Sequence, residues 1–423
     1  MGVSGPYADK VIVSHPTGNA NVSAVVTALY EDQLLAAFYT CLVWRPESRL
    51  ARMTPASLRG MLQRRARVQL PEKFVRTRPA RELARSLLIR AGKKRWVAHE
   101  DSPFSIDSVY RGIDAYVARN LHRYPGLRGV YAYEDGALIQ FARARQLGIR
   151  CLYDLPIGYW RVNREISLEE TELQPGWRGT LNALADSEKK LERKDREIEL
   201  AETIFVASTF TRKTLEAYPG WAQGKAKKVV VIPYGTPEPV DEERPLTKRN
   251  QPLRVIYVGS LTQRKGLAYL AEAVKKLGAA VTLTVVGRKV GSSDLLDRFC
   301  DEHQWIASLP HAEILAEMGR NDVLVFPSLF EGFGLVIGEA LSRGVPVITT
   351  PHTGGPELIR DGQDGFIVPI RDSEAIATRL LRLYEDRDLL RTMSESARAR
   401  AGELSWQGYR DGTAAAVREA IAQ

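Results

Sequence analysis

Two glutamates that flank a glycine-rich turn have the type and spacing to bind an anionic ligand rich in hydroxyls. Glu331 begins the run Glu-Gly-Phe-Gly-Leu, and Glu339 lies eight residues further along the chain. A carboxylate can accept two hydrogen bonds from a diol, and glycines let backbone N–H groups approach a ligand closely. A helix N-terminus at the same place favours an anion. A nucleoside-diphosphate sugar satisfies both requirements.

A predicted strand–loop–helix–strand unit positions these groups. A buried apolar run at 323–326 precedes the loop, a helix runs to about Leu341, and a second strand covers 345–348. Ligands bind outside the carboxyl ends of strands in open α/β sheets. We therefore expect the loop backbone to face the sugar and the phosphates. The loop residues concerned are Gly332, Phe333, Gly334 and Leu335.

A second motif supplies positive charge. Arg264 and Lys265 lie in a glycine-flanked turn after the predicted strand that begins at Leu253. When a sugar leaves a diphosphate, negative charge builds on the phosphate oxygens, and cations aimed at that charge stabilise the transition state. The pair is therefore a candidate clamp on the diphosphate. A solvated basic turn is the alternative interpretation.

The motifs, taken together and in order from Leu253 to about Trp406, resemble the signature of family-4 retaining glycosyltransferases. That family has the two-domain GT-B architecture. The residues that carry the resemblance are Gly259-Ser260, Lys265-Gly266, Gly287-Arg288, Glu331 with Glu339, Gly354-Gly355-Pro356-Glu357 and Asp361-Gly362-Gln363-Asp364-Gly365. A lone pair of glutamates at this spacing would be a weak signal, because helices contain many glutamates.

The resemblance implies an α/β fold with two Rossmann-like, doubly wound domains that face a central cleft. We predict an N-terminal acceptor-binding domain at 1–236, a linker at 237–252 and a donor-binding domain at 253–403. The helix at about 404–423 is expected to cross back to the N-terminal domain. The implied reaction moves a sugar, with retention of anomeric configuration, from a nucleotide-diphosphate sugar to a glycan or lipid-linked acceptor.

The resemblance also implies roles for single residues on the donor side. Glu331 approaches the hydroxyls of the transferred sugar, Glu339 approaches the ribose, and Gly287-Arg288 borders the nucleotide. The family usually has an arginine directly after the glycine of the first loop, where this chain has Gly259-Ser260. Arg264 is then expected to supply the missing charge. Glu339 has an alternative role as a favourable charge near a helix N-terminus.

On the acceptor side, Gly18-Asn19 follows the first predicted strand and resembles the family's glycine loop. The family often has a histidine at the end of a middle strand, where this chain has Tyr153-Asp154. Asp154 is the candidate polar group or base, with a turn-initiating aspartate as the alternative. His15 is a weaker candidate, and we interpret it as a packed or surface histidine.

No metal ion or other cofactor is expected beyond the nucleotide-sugar co-substrate. The one Asp-x-Asp triplet, Asp386 to Asp388, lies between two predicted helices, where aspartates act as caps. The six histidines have no spacing typical of metal ligands.

Length and cysteine usage limit the class of protein. A chain of 423 residues exceeds one ordinary core and fits two domains. No apolar run reaches the roughly 18–20 residues of a membrane span, and the start lacks the features of a secretory signal. The three cysteines, Cys41, Cys151 and Cys300, form no ligand-spaced pair. We expect reduced thiols and a cytoplasmic location.

The segment from Trp44 to Trp96 is strongly basic, with sixteen lysines and arginines against three acidic residues. It predicts contact with an anionic acceptor or membrane surface, so the enzyme could be peripheral on the cytoplasmic face. A solvated helical face is the alternative. The segment lacks a nucleic-acid motif with interleaved aromatics, so nucleic acid is not an expected partner.

Two competing functions are a nucleotide-sugar epimerase or hydrolase of the same architecture and a non-catalytic basic binding module.

Apolar periodicity predicts the elements of the first half. The predicted strands lie at 11–13, 130–133, 149–153, 203–207 and 229–232. Amphipathic helices lie at 106–121 and from near Asn21 onward, and a charged helical stretch lies at 188–201.

Overall fold

A computed structural model describes residues 6–44, 69–181, 184–224, 227–240 and 244–422 of the chain. The part of the basic segment at 45–68, with Pro46 and Pro55, lies outside the described residues. Described elements fall into two parallel sheets flanked by helices.

The first sheet has the strand order β3-β2-β1-β4-β5-β6-β7, and every neighbouring pair is parallel. Its strands are β1 Val11–Ser14, β2 Leu35–Thr40, β3 Val75–Thr77, β4 Gly129–Tyr133, β5 Arg150–Asp154, β6 Thr203–Val206 and β7 Lys228–Val231. Its helices are α1 Ala20–Glu31, α2 Ala80–Arg90, α3 Ile106–Asn120, α4 Leu138–Gln146, α5 Trp160–Leu173, α6 Glu188–Leu200, α7 Thr209–Thr214 and α8 Pro219–Ala222.

The second sheet has the order β10-β9-β8-β11-β12-β13 and is also parallel throughout. Its strands are β8 Leu253–Val258, β9 Val281–Val286, β10 Gln304–Ile306, β11 Val323–Phe326, β12 Val347–Thr349 and β13 Gly365–Ile367. Its helices are α9 Leu267–Leu277, α10 Asp294–Glu302, α11 His311–Gly319, α12 Leu335–Ser342, α13 Gly355–Leu358, α14 Ser373–Glu385 and α15 Arg387–Glu403.

Both sheets reverse their strand order at one point, between β1 and β4 in the first and between β8 and β11 in the second. Loops that leave neighbouring strands in opposite directions open a crevice there, which is where such sheets bind ligands. The loop after β8 carries Lys265, and the loop after β11 carries Glu331. The prediction of two Rossmann-like, doubly wound units is therefore confirmed.

The last helix, α16 Trp406–Ala422, returns to the first unit and packs against α1. Arg418 of α16 pairs with Asp32 at the end of α1, and Glu419 accepts a 2.6 Å bond from Lys228 of β7. The crossing-back of the C-terminal helix is confirmed. The exact domain boundaries at 236, 252 and 403 stay predictions.

Strand β2 and helix α5 are among the elements of the first unit that the sequence analysis did not predict. Strand β2 is buried along its whole length, and α5 is a charged helix with few buried residues. Helix α5 carries Glu170, which is fully buried, and it contacts the second unit.

Candidate active site

A cavity of about 330 Å³ lies between the two units, at the switch point of the second sheet. It brings together the predicted residues Gly259, Lys265, Glu331, Phe333, Gly334 and Leu335, and is completed by Asn21, Pro156, Tyr234, Val258, Phe326 and Val336. Residues from both units line it, so a ligand placed here would contact both.

The turn that carries Lys265 is short and tightly packed. Residues Gln263–Lys265 form one 3₁₀ turn, and Gly266 follows with φ 72°. A side chain at Gly266 would overlap the carbonyl oxygen of Pro327. Glycine is required here both for the left-handed backbone and for the close approach of the two loops. The lysine is therefore held on rigid backbone.

Lys265, Arg264 and Glu331 form a small ionic cluster at the cavity. The ammonium of Lys265 contacts Oε2 of Glu331 directly and lies 4.8 Å from the centre of the Phe326 ring. Nη1 of Arg264 lies 3.8 Å from Oε1 of Glu331 and donates a 2.6 Å hydrogen bond to the carbonyl of Phe330. Two cations thus share one carboxylate. Arg264 does not line the cavity, whereas Lys265 does. A diphosphate in the cavity would therefore contact Lys265 and feel Arg264 only as a nearby positive charge.

The charge on this cluster is incompletely balanced. The side chains of Lys265, Arg264 and Glu331 are 9%, 17% and 13% exposed. Burial, and then the neighbouring Arg264 guanidinium, holds the pKa of Lys265 well below its usual value, and burial lowers the pKa of Arg264. An arriving anion would favour the charged form of both groups. The site is built to accept negative charge.

The N-terminus of α12 opens on the same cavity. Gly334 precedes the helix with φ 86° and gives it no side-chain cap. Gly334, Leu335 and Val336 all line the cavity. Uncapped first-turn N–H groups and the helix dipole add further attraction for an anion.

Gly332 faces the first unit instead of the cavity. Its carbonyl accepts hydrogen bonds from the hydroxyls of Ser208, at 2.6 Å, and Thr211, at 3.0 Å. A side chain at Gly332 would overlap the carbonyl of Pro156. The predicted loop glycine is thus an interface residue, because the backbone of the two units meets there.

Gly259 and Gly287 allow two loops of the second unit to touch. A side chain at Gly287 would overlap the Gly259 carbonyl oxygen. Ser260 offers its carbonyl to the hydroxyl of Tyr257 at 2.9 Å, and the exposed Arg288 accepts through its carbonyl from Leu261. Of these four predicted residues, only Gly259 lines the cavity.

Glu339 lies on α12 and does not line the cavity. Its Oε1 is 2.9 Å from Nε2 of His311, the first residue of α11. Its predicted role as a ribose ligand stays a prediction, and the sequence analysis did not foresee the histidine partner.

Hydrogen bonds to His15 and Asn19 hold the backbone of the predicted acceptor loop. The backbone N–H of Gly18 donates to Nδ1 of His15 at 2.9 Å, and Oδ1 of Asn19 accepts from Val22 N–H as the cap of α1. His15 also packs edge-on against Tyr133. The histidine is a packed residue, as interpreted from the sequence. The side chain of Asn19 caps the helix although the residue is exposed, and Gly18 is partly buried with its N–H bonded to His15.

Tyr153 and Asp154 are both buried, at 0% and 4% exposure. The Tyr153 hydroxyl donates to Glu197 at 3.1 Å within the core of the first unit, so Tyr153 cannot contact an acceptor as predicted. The reason is strand alternation, which points neighbouring side chains to opposite faces. Asp154 accepts a 2.6 Å hydrogen bond from Tyr131 and does not line the cavity. Burial raises the pKa of Asp154 to about 7.

The sequence analysis missed the wall that the first unit contributes. Asn21, Pro156 and Tyr234 line the cavity from that side. Tyr234 packs against Phe333, with ring centres 5.1 Å apart, and against Tyr409 of α16. The available signal was Pro233-Tyr234-Gly235, a turn directly after the apolar run at 229–232, and the end of a strand is a place where sheets bind ligands.

Asp386 caps α15 by accepting a 2.9 Å bond from Leu389 N–H, as expected for a junction between helices. Within the ranges that the structure describes, no group of three or more His, Cys, Asp and Glu side chains is arranged to hold a metal ion. None of the helices in the same ranges is both long and apolar enough to span a membrane.

The second unit matches a known protein family. Residues 240–400 match the family described as "Glycosyl transferases group 1". The amylovoran biosynthesis glycosyltransferase AmsK of Erwinia amylovora is 31% identical over 150 residues, which are 32% of this chain and 37% of that protein. The match therefore spans little more than a third of the length of this curated relative.

Solved structures match over nearly the whole chain. Sucrose-phosphate synthase from Thermosynechococcus elongatus aligns with a TM-score of 0.65 and 18% identity, covering 98% of this chain and 99% of that one. Anabaena HepE, solved in complex with UDP and glucose, aligns with a TM-score of 0.59 and 16% identity over 98% of each chain. At such identities the likeness shows the fold, which is the two-domain GT-B architecture.

Proposed function

Because residues 240–400 match the group 1 glycosyl transferases, we propose that this protein transfers a sugar from a nucleotide-diphosphate sugar to an acceptor hydroxyl. The acceptor is a glycan or a lipid-linked glycan, and the anomeric configuration is retained. The reaction needs no metal ion or other cofactor.

The observation that carries this proposal is the cluster of two largely buried cations that share one carboxylate. Lys265 reaches the cavity from one side, and the uncapped N-terminus of α12 reaches it from the other. A diphosphate would supply the missing negative charge. Glu331 would then be free to accept hydrogen bonds from the hydroxyls of the transferred sugar.

The same groups account for the chemistry. As the bond between the anomeric carbon and the diphosphate breaks, charge collects on the phosphate oxygens. Lys265 and the N–H groups of α12 lie where they stabilise that charge, with Arg264 as a second positive charge 3.8 Å from Glu331. These groups would stabilise the negative charge on the phosphate oxygens, as a bound metal cation does in other transferases, and this supports metal independence. Retention is proposed from the likeness of the Glu331–Glu339 motif to that of retaining enzymes.

A surface on the first unit suits an acceptor held at a membrane. We define the α2 surface as the exposed apolar and basic side chains of α2 and the turn after it. Its apolar members are Leu83, Leu87, Ile89 and Trp96, and its exposed basic members are Arg90, Lys93, Lys94 and Arg95. Apolar side chains beside cations fit the interface of an anionic bilayer. This supports a peripheral position on the cytoplasmic face of the membrane.

The test is a panel of UDP-, GDP- and ADP-sugars with the full-length protein. The first step measures thermal shifts, and the second incubates the best donor with glycan and lipid-linked acceptors. NMR of the product reports the anomeric configuration, and parallel reactions contain EDTA. Retention and full activity in EDTA are expected. Inversion, or loss in EDTA with rescue by magnesium or manganese, would contradict those two parts of the proposal.

The same experiment separates the competing functions. An epimerase changes the donor sugar without an acceptor, and a hydrolase releases free sugar at the same rate with and without one. Either result would replace the transferase assignment. If no nucleotide-sugar binds, the non-catalytic basic binding module would be the remaining function.

A further inference from the structure

Glu170, on α5 of the first unit, is a fully buried carboxylate whose hydrogen-bond partners lie on the second unit. Its Oε2 accepts a 2.7 Å bond from Nε2 of Gln263, and its Oε1 accepts a 2.7 Å bond from Nε of Arg371. The hydroxyl of Tyr269 on α9 lies 3.2 Å from both oxygens. A buried charge with this many donors has a fixed geometry.

Gln263 connects this carboxylate to the cavity. It is the first residue of the 3₁₀ turn that ends at Lys265. Its amide nitrogen is taken by Glu170, so its amide oxygen points the other way and accepts from Ala268 N–H at 3.0 Å. The side chain of Gln263 therefore joins Glu170 of the first unit to the first turn of α9, which follows Lys265.

The same turn is held a second time by Thr180. The backbone N–H of Gln263 donates to Thr180 Oγ1 at 2.9 Å, and the hydroxyl of Thr262 donates to the Thr180 carbonyl at 2.6 Å. Glu170 and Thr180 both belong to the first unit. The turn that presents Lys265 is thus held from across the interface between the units.

Arg371 adopts an unfavourable backbone conformation while it contacts Glu170. It has φ 64°, a left-handed conformation that is unfavourable for a residue other than glycine. Its guanidinium spans two neighbouring carboxylates, with Nε on Glu170 and Nη2 at 2.6 Å from Glu169. The side chain of Glu169 is 48% exposed, and that of Glu170 is 0% exposed.

We propose that Glu170 is a positioning residue for the diphosphate site. Through Gln263 it holds the 3₁₀ turn so that the ammonium of Lys265 faces the cavity, and it does so only while the two units are in contact. This inference rests on the proposed function, because it assumes that Lys265 meets the diphosphate of the donor. Glu170 itself does not line the cavity.

The test compares nucleoside diphosphates with monophosphates by calorimetry on the full-length protein. UDP, GDP and ADP are titrated beside UMP, GMP and AMP, and the base with the tightest diphosphate is used. The quantity measured is the ratio of the monophosphate Kd to the diphosphate Kd. Glu170→Gln keeps the shape and removes the charge, and Glu169→Gln is its matched control on the same arginine.

We expect Glu170→Gln to lower this ratio about tenfold, the loss of one charged hydrogen bond. Glu169→Gln should leave the ratio unchanged. The exchanged pair Glu170→Gln with Gln263→Glu restores a donor opposite a carboxylate and should recover most of the loss. If Glu170→Gln does not fold, Thr180→Val, which removes the acceptor of Gln263 N–H, should lower the ratio in the same way.

Other outcomes distinguish the two proposals. A lower melting temperature with an unchanged ratio would make Glu170 merely structural and overturn the inference. Equal loss for monophosphate and diphosphate would overturn it as well. Lys265→Ala is measured in parallel. If it also leaves the ratio unchanged, the diphosphate site itself fails, and with it the proposed function.

Discussion

Ser208 donates a 2.6 Å hydrogen bond to the carbonyl of Gly332, across the interface between the two units. Ser208 is also the cap of α7, because its side chain accepts from Thr211 N–H. One hydroxyl thus caps the start of a helix in the first unit and holds the loop of the second unit that carries Glu331. The position of the catalytic candidate therefore depends on both units.

Gly332→Ala should separate the loop from the first unit. The added methyl group would overlap the carbonyl of Pro156, which is backbone and cannot turn aside. We expect a loss of transfer of at least about tenfold and a lower melting temperature. The matched control is Gly319→Ala in α11, where a methyl group meets nothing within 4 Å. Equal behaviour of the two variants in thermal melts and rate assays would contradict the interface assignment.

Lys265→Ala should weaken a nucleoside diphosphate much more than the nucleoside. The lysine is the cation that lines the cavity together with Glu331, and a charged hydrogen bond contributes about 1.5–3 kcal/mol. Calorimetry with both ligands gives the two affinities. Equal losses would show that Lys265 is not a phosphate ligand.

Glu331→Gln should change binding and turnover in opposite directions. Removing the carboxylate leaves Lys265 and Arg264 without their shared anion, so the diphosphate should bind at least as tightly as before. Turnover should fall roughly ten- to a hundredfold, because an amide accepts poorly from two sugar hydroxyls. Steady-state rates and calorimetry on the same protein test both. Unchanged turnover with native melting would remove Glu331 from the site.

Asp154→Asn should change how stability depends on pH. The pKa of Asp154 is raised by burial from 3.8 to about 7, so between these values the folded state binds the proton that the unfolded state has released. This contribution is full at low pH and is lost as pH rises through about 7. Asparagine lacks the titration. As pH rises from 5 to 8, the free energy of unfolding of the variant should therefore increase relative to that of the wild type, by on the order of a few kcal/mol.

The measurement is denaturant unfolding of both proteins at each pH. Other titrating groups, including Glu197, occur in both proteins and cancel in the difference. A constant difference across the range would show that Asp154 keeps an ordinary pKa.

Leu87→Ser should weaken binding to anionic vesicles. Leu87 is 60% exposed on the α2 surface, and Leu173, which is 55% exposed at the end of α5, offers a matched change elsewhere. Co-sedimentation should fall for Leu87→Ser and stay unchanged for Leu173→Ser. Binding should also weaken as salt rises, because the Debye length shortens from about 10 Å at 0.1 M to about 3 Å at 1 M. No difference between anionic and neutral vesicles would refute membrane contact through charge.

In the second unit, sequence reasoning brought Lys265 and Glu331 to one cavity, whereas the predicted Ser260, Gly287, Arg288 and Glu339 do not line it. Lys265 and Gly266 lie in the loop after the buried strand β8, and Glu331 lies in the loop after the buried strand β11, so strand prediction places them at one edge of the sheet. Gly332 shows the limit of that argument. Its motif predicted a ligand contact, but a carbonyl of the other unit occupies the space beside it.

The first unit was harder to predict because its contributions come from distant parts of the chain. Tyr153 and Asp154 were placed correctly at a strand end, but both side chains are buried, because helices cover both faces of a parallel sheet and alternation sends one side chain to each face. The partners of Glu170 lie about a hundred residues or more away, at Gln263 and Arg371. The spacing of residues along the chain cannot predict such long-range contacts.

The return of α16 to α1 has a consequence for the order of synthesis. The seven strands of the first sheet are complete at Val231, but the helix that covers α1 begins only at Trp406. At about 5–20 residues per second, a ribosome needs on the order of ten seconds or more to add the intervening chain. During that time the first unit has an uncovered apolar face. A nascent chain is therefore exposed to aggregation until α16 has emerged.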